Sequence, residues 1–400
     1  MTSVDATSTL PRGPLSGVRV LDLSAYIAGP YGCSLLADMG ADVVKIEPPG
    51  GDNLRKYPST LEAESRAFLG VNRSKRGVMI DLKRPEGLQV LLKLVDTADV
   101  LVHNFRPSVP PRLGIAFERF KETHPRLIYC AVTGYGETGP MKDNAGYDQV
   151  LQSLTGICCL QGKHGQAPEI VYGSVVDYYA AALVLSGVSA ALFDRERTGQ
   201  GQYVGVSLLR SALAMQSARF IWAEGESRDV ERDMRSGGVT GIHPAREGHI
   251  YLSANTAHFW QALCKKTGMH ELANDPRYDT LRKRASSAQE ILPKLHAALQ
   301  AHTALEWEKI FGEEVPCAAA RSIGDMFDHP QVLAEKMVAT LDHPVVGRYK
   351  GYTKPIHFGA TPGPVPFAAP TLGQHSTEVL ADNGYSVAEI EKLRGLGVIA

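Results

Sequence analysis

The stretch Val18–Glu47, VRVLDLSAYIAGPYGCSLLADMGADVVKIE, sets the architecture. Val18–Ser24 (VRVLDLS) is an apolar run of strand length, and Ala41–Glu47 (ADVVKIE) is a second. Between them a loop, Ala25–Gly29, leads to Pro30, whose fixed φ suits the first turn of a helix; that helix runs to Met39, with Gly40 as its stop. Working outward, the alternation continues with strand Gly77–Leu82, helix Pro85–Thr97, strand Asp99–Asn104, a helix around Phe117–Thr123 and strand Leu127–Thr133. Such alternation needs crossover connections and predicts a parallel, doubly wound α/β sheet. Ligands bind such sheets outside the carboxyl ends of the strands. Ser24, Glu47, Lys83, Asn104, Phe105, Thr133 and Gly134 fall there.

A chain of 400 residues exceeds what one core usually organises, so two domains are expected. Its 42 basic residues nearly cancel its 43 acidic ones, which leaves no global field to draw in nucleic acid or an anionic membrane. No apolar run approaches the ~20 residues needed to cross a bilayer. Met1 to Gly13 lacks a signal core and reads as a loose tail. The six cysteines (Cys33, Cys130, Cys158, Cys159, Cys264, Cys317) show no metal-binding spacing and are expected to be reduced thiols of a cytoplasmic protein.

The opening strand–helix–strand unit invites a dinucleotide-binding reading, with Glu47 where a ribose-binding acid would sit. The first loop, Ala-Tyr-Ile-Ala-Gly-Pro, holds one glycine where that fingerprint needs three, so the backbone could not approach a pyrophosphate. Glu47 is then expected to be a solvated acid at a strand end.

Val171–Gln202 (VYGSVVDYYAAALVLSGVSAALFDRERTGQGQ) carries the chemistry. Tyr178–Phe193 is nearly uncharged and reads as a helix buried on most sides, with Arg195 and Arg197 in its last turn and Gly199 as its stop. Asp177 stands just before it. As a cap, its carboxylate would accept the helix's free N–H groups and gain from the positive end of the dipole. The same carboxylate, kept ionised in a partly dry site beside Gly173 and Ser174, could attack an acyl carbon. Both readings stay open on the residues alone.

Together these stretches resemble the class III CoA-transferases. The likeness is carried by Leu21–Asp52 (LDLSAYIAGPYGCSLLADMGADVVKIEPPGGD), by NRSKRGVMIDLKRPEG, LVHNFRP with RLG, GYGETGP with GYD, SVVDYYAAALVLSGVSAALFDRERTGQGQ, and the carboxyl end LGQHSTEVLADNGYSVAEIEKLRGLGVIA. It runs from about Leu15 to Ala400. The resemblance implies a CoA-transferase in which Asp177 is the acylated aspartate. It places CoA contacts at Ile80, Asp81, Leu82, Lys83, Asn104, Phe105, Arg106, Arg112, Ala145, Gly146, Tyr147 and Asp148. Lys83, Arg106 and Arg112 suit phosphates, Phe105 suits adenine, and Asn104 suits a hydrogen bond to nucleotide or pantetheine.

The resemblance also implies a Rossmann-like large domain of residues 1–222 plus 323–400, with a smaller α/β domain, 223–322, inserted. That insert holds a strand at His249–Ala254 and helices around His258–Lys266 and Ser287–Ala301. Two chains are expected to interlock as a homodimer, with an acyl-CoA thioester and a carboxylic acid as substrates and no permanently bound cofactor or metal. Relatives acting on formyl-CoA and oxalate carry a glycine run where this chain has only Gly237, Gly238 and Gly241, which argues against that exchange. The related racemases place a histidine in GHD; here the element is Gly146-Tyr147-Asp148. A dicarboxylate such as succinate is favoured, with Arg55, Arg66, His243 and Arg246 as partners for its second carboxylate. The alternatives are a 2-methylacyl-CoA racemase or epimerase and a non-catalytic acyl-CoA-binding protein.

Overall fold

The computed structural model describes residues 12–62, 64–161, 166–227 and 239–400; Gly237 and Gly238 lie outside them. The chain divides into two compact units, one reaching to Trp222 and resuming at Pro330–Ala400, the other Ala223–His329.

The first unit is built on strands β1 (Arg19–Asp22), β2 (Asp42–Glu47), β3 (Arg76–Met79), β4 (Val100–His103), β5 (Ile128–Thr133) and β6 (Tyr203–Ser207). They form one sheet in the order β3-β2-β1-β4-β5-β6, every pairing parallel. This order reverses direction between β1 and β4, the switch point of a doubly wound fold. The sixth strand has no counterpart in the sequence reading, because YVGVS is short and interrupted by Gly205.

Both faces of the sheet are covered, which explains strands that read as continuous apolar runs. Successive residues point to opposite sides. Val20, Val43, Val100, Val102, Ile128 and Cys130 enter one core, and Leu21, Val44, Leu101, Tyr129 and Ala131 enter the other. On the first face lie helices α1 (Ala28–Asp38), α6 (Asp148–Leu154), α7 (Val175–Thr198) and α8 (Leu208–Ala214). On the second lie α3 (Pro85–Val95), α5 (Phe117–Thr123) and the carboxyl-terminal α15 (Ser376–Asp382) and α16 (Val387–Gly395). Short helices α2 (Arg66–Val71), α4 (Val109–Leu113) and α14 (Pro330–Ala334) fill the margins. An antiparallel hairpin, β10 (Val338–His343) with β11 (Gly347–Tyr352), also belongs to this unit. The chain end returns to the sheet edge, where Ile399 bridges Ile80 and the Asp81 N–H donates to the Val398 carbonyl.

α7 is long and apolar enough, by length and composition, to span a bilayer. Here it packs along one stripe, Val176, Ala180, Val184, Val188 and Leu192, while Ala182, Ser186, Ala190 and Phe193 are exposed. It is therefore buried on one side, not on most sides as the composition suggested. Its approach to α1 is set by Gly32, where a Cβ would stand 2.8 Å from the Val184 side chain and 3.2 Å from the Ala181 carbonyl oxygen.

Under the switch point lies a network of charges without access to water. Lys75, fully buried, donates to Asp22 (2.8 Å), the Pro30 carbonyl (2.7 Å) and Asn72 (2.8 Å). Lys45, also fully buried, donates to the Ser24 carbonyl at 2.9 Å and pairs with Asp52 at 3.1 Å. Burial would push the Asp22 carboxyl up, but Lys75 and then Lys45 outweigh it and hold it below its ordinary range. Glu47 proves to be buried rather than solvated: it takes a two-point ion pair from Arg55 and accepts the Asp52 N–H.

The second unit has a three-stranded antiparallel sheet, β7 (Gly241–Pro244), β8 (His249–Leu252) and β9 (Cys317–Ala319), with β8 central. Its helices are α9 (Ala257–Thr267), α10 (His270–Ala273), α11 (Leu281–Ser286), α12 (Ala288–Leu299) and α13 (Ala304–Phe311). Trp260, Leu263, Leu295, Trp307 and Phe311 form its core.

Breaking the buried network should be costly. Lys75→Ala leaves Asp22 buried and short of a cation, and is expected to cost about 3–5 kcal/mol, read from the urea midpoint at pH 7.

Candidate active site

Two cavities open at the carboxyl ends of the strands. One, about 300 Å³, is lined by Tyr26, Tyr57, Asn104, Thr133, Tyr147 and Asp177 among others. The second, about 490 Å³, is lined by Ser24, Glu47, the Pro48–Gly51 turn, Ile80–Lys83 and Leu113. Phe105 lines both. All seven strand-end residues of the sequence reading line one cavity or the other.

The sequence-predicted contacts separate accordingly. Ile80, Asp81, Leu82 and Lys83 border the larger cavity, while Asn104, Arg106, Ala145, Gly146, Tyr147 and Asp148 border the smaller one with Asp177. Arg112 borders neither; it is exposed on α4, and its Nε donates to the Ser108 carbonyl at 3.1 Å. Back-to-back glycines bring the loop after β5 onto the segment before α6. A Cβ on Gly146 would stand 2.6 Å from the Gly134 Cα.

Asn104 is occupied structurally. Its Oδ1 accepts the Ala25 N–H at 2.9 Å and its Nδ2 donates to the Ala25 carbonyl at 2.6 Å, so it ties the loop after β1 to the loop after β4. Its amide thus fixes the crevice wall, and the residue lines the Asp177 cavity. The next residue, Tyr26, takes φ +64°, a left-handed backbone costly for a tyrosine, and its N–H is held by Asp52 at 3.1 Å. Ser174, on the opposite wall, is left-handed too, at φ +58°.

Asp177 is not the residue before the helix. It is the third residue of α7, whose N-cap is Ser174, and the Ser174 side chain makes no capping bond. The capping group comes from α6. Asp148, 1% exposed, accepts the Val176 N–H at 2.6 Å and the Asp177 N–H at 3.2 Å through Oδ2. Its Oδ1 accepts from the Gln152 amide, and Gln152 in turn holds both backbone groups of Val171. Both Asp148 oxygens are thus engaged within the chain, although the residue lines the Asp177 cavity.

The Asp177 carboxyl is pushed up to about 7, first by burial and then by the Asp148 charge. The expectation that helix N–H groups keep it ionised is overturned, because Asp148 takes those groups. Tyr57 faces this charge: its hydroxyl is pushed up by burial, by Tyr26 and by Asp177.

None of the four cations nominated for a second carboxylate is at leisure. Arg55 is bound by Glu47 and Glu64 and stacks on Phe68, 3.6 Å from the ring centroid. Arg66 grips the Thr60 hydroxyl. His243 is buried against His296 and the Val239 carbonyl, and burial lowers its proton affinity. Arg246 pairs with Glu306. Arg106 and Lys142 line the Asp177 cavity, are exposed and make no ion pair among the described residues; sequence reasoning overlooked Lys142 for this place. Among the described residues no group of three or more His, Cys, Asp and Glu side chains could hold a metal ion.

Six parallel strands in this order, with cavities at the reversal point, make the chain an α/β protein of the doubly wound class. It belongs to CoA-transferase family III, whose sequence profile matches residues 15–376. The succinyl-CoA:glutarate CoA-transferase of Mus musculus is 30% identical over 393 residues, covering 96% of this chain and 90% of the mouse enzyme. The succinate–glutarate CoA-transferase of Agrobacterium fabrum is 32% identical, covering 92% and 95%. A solved CAIB/BAIF family protein from Brucella suis superposes with a TM-score of 0.81 at 28% identity, over 93% of this chain and 100% of the other. The chain is thus a CoA-transferase with CoA thioesters as substrates.

The raised Asp177 carboxyl has a measurable consequence. The folded chain holds this proton to about pH 7, whereas an unfolded aspartate releases it near ~3.9. Stability tied to Asp177 therefore falls as pH rises from about 4 to about 7. Asp177→Asn removes the dependence, so the Tm of the variant should gain on that of the wild type between pH 5 and pH 8.

Proposed function

We propose that the enzyme moves CoA from a dicarboxylyl-CoA, succinyl-CoA being favoured, to a carboxylic acid through an aspartyl-CoA thioester on Asp177. The observation that carries this reading is an aspartate on a cavity wall whose helix-capping work is done by another carboxylate. A side chain that neither caps nor forms an ion pair has its oxygens available for attack. The dicarboxylate rests on the relatives named for succinyl-CoA and succinate, with Lys142 as the cation for its second carboxylate.

In the first step an Asp177 oxygen attacks the donor thioester, giving a mixed anhydride and expelling CoA thiolate. The thiolate attacks the aspartyl carbonyl, which forms the aspartyl-CoA thioester and frees the donor acid. The acceptor carboxylate attacks that thioester, forming a new anhydride and releasing the thiolate again. The thiolate then takes the acyl group, and Asp177 leaves as a carboxylate. Splitting one difficult exchange into four displacements is what a covalent nucleophile contributes.

The two cavities suit a long thioester whose nucleotide end lies by Ile80–Lys83 and whose pantetheine arm passes Phe105 toward Asp177. Lys83, Arg106 and the free end of Arg112 serve the phosphates in this reading. Of the N–H groups in Ala25–Gly29, those of Ala25 and Tyr26 are already bonded. Ile27 and Ala28, at the start of α1 and on the cavity wall, are the oxyanion donors of choice. An interlocked homodimer in the cytoplasm belongs to the same reading.

Incubation with succinyl-CoA should leave CoA mass, sensitive to hydroxylamine, on the peptide around Val175–Tyr179. Asp177→Asn should fold and bind donor yet transfer nothing above background, because an amide oxygen is a poor nucleophile. A fully active Asn variant, or CoA mass on another carboxylate, defeats the assignment.

A panel of acids crossed with acyl-CoA donors, read by mass spectrometry, should favour dicarboxylates. Activity confined to monocarboxylates removes that part of the proposal. Solvent deuterium entering the α-position without any acceptor acid would point to a racemase instead.

A further inference from the structure

The entry to α7 is built in an unusual way. Gly173 and Ser174 both have positive φ, +102° and +58°, so the chain reaches the helix through two consecutive residues of reversed hand. This approach leaves the helix without a local cap, and a buried carboxylate on a different helix supplies one. Asp177, in the first turn of that helix, is the acid that sequence statistics would have assigned to the capping task.

We infer that Asp148 is a positioning residue for the transfer: by taking the α7 N–H groups with a buried negative charge, it leaves the Asp177 carboxylate unshared and makes it a stronger base. The inference rests on Asp177 being the nucleophile, as proposed above.

Three observations support it. Asp148 sits 28 residues before the N–H of Val176 and contacts it at 2.6 Å, so the cap is tertiary and holds α6 on the start of α7. Gln152, one turn along α6, bonds to Asp148 and to both backbone groups of Val171, which fixes each end of the Val171–Asp177 segment. The charge of Asp148 is also the one electrostatic influence that raises the Asp177 carboxyl beyond burial itself.

The other groups around Asp177 do not duplicate it. Tyr178 on α7 and Tyr57 across the cavity are phenols, neutral near pH 7, whose own proton affinities are raised in part by Asp177. Tyr26 and Tyr147 meet edge to face on the cavity wall, with ring centroids 5.7 Å apart. Lys142 and Arg106 line the same cavity from its exposed side, and neither opposes the Asp148 effect on Asp177.

The physical logic is a division between two carboxylates. A carboxylate that accepts helix N–H groups is stabilised by them and becomes a weaker base and nucleophile. One that stands beside another negative charge with no such bonds is a stronger one. Asp148 accepts the helix N–H groups, and Asp177 stands beside its charge without them, one α-helical entrance serving both.

The test is the pH profile of kcat/KM for the succinyl-CoA half-reaction, followed as CoA mass appearing on Asp177, in the full-length wild type, Asp148→Asn and Asp148→Glu. Wild type is expected to lose activity below about pH 7, as the nucleophile protonates. Asp148→Asn keeps an oxygen to accept the helix N–H groups but removes the charge, so the acid limb should move down by about one pH unit or more. Asp148→Glu keeps the charge and should keep the limb near its wild-type place.

An acid limb that stays fixed in Asp148→Asn, with Asp177 still acquiring CoA, overturns the inference and leaves the nucleophile standing. Wild type that never acquires CoA on Asp177 overturns the nucleophile itself, and this inference with it. Should Asp148→Asn fail to fold, Asp148→Ser, uncharged and also an acceptor of helix N–H groups, is read in its place. A purely structural cap would lower Tm in these variants without moving the limb.

Discussion

Two lysines cut off from water hold the cavity-bearing end of the sheet together. Lys45 reaches from β2 to the Ser24 carbonyl and Asp52, and Lys75 binds Asp22, the first turn of α1 and Asn72. Taken out of water, each charge would be strongly unfavourable alone, and only mutual pairing with full hydrogen bonding makes the set tolerable. The consequence is rigidity where the chain changes direction. Asp52, fixed by Lys45, holds the N–H of Tyr26 in a left-handed backbone that a tyrosine would otherwise leave. The loop from Ser24 to Ile27 is thereby fastened at both ends before any ligand arrives.

Against this fixed wall the opposite side is assembled from separate parts of the chain. Gly134 and Gly146 lie back to back, which sets the start of α6, and α6 sets the start of α7 through Asp148. Strain appears on both walls, at Tyr26 and Ser174, and both residues face the cavity of Asp177. Unfavourable backbone of this kind persists where surrounding contacts over-determine it, and it gathers at sites that must be organised in advance.

Much of this was legible in the sequence, and the failures have physical causes. Apolar strand runs and helix punctuation located β1 to β5, because strands covered on both faces need no alternation to be recognised. The carboxyl-end rule then found Ser24, Lys83, Phe105 and Thr133 without any motif. β6 escaped because a five-residue strand with a glycine carries too little pattern. Asp177 was misplaced by a turn, since Gly-Ser before an apolar run gives no hint that the backbone is already helical at Val175. Its partnership with Asp148 could not be read, because no local spacing joins residues that meet only through packing. Glu47 and Arg55 were misjudged for the same reason: charged residues are mostly exposed, and only the tertiary network shows that these are not.

Gly32 shapes the Asp177 cavity from a distance. The residue lets α1 and α7 touch, its missing side chain facing Val184 and Ala181. One of those helices begins at Ile27 and Ala28 on the cavity wall, and the other bears Asp177 on the facing wall. The width of that cavity between its two helix entrances is therefore gauged by a contact deep in the core. A methyl group added at position 32 would act as a shim, widening the jaw without touching anything that a substrate meets.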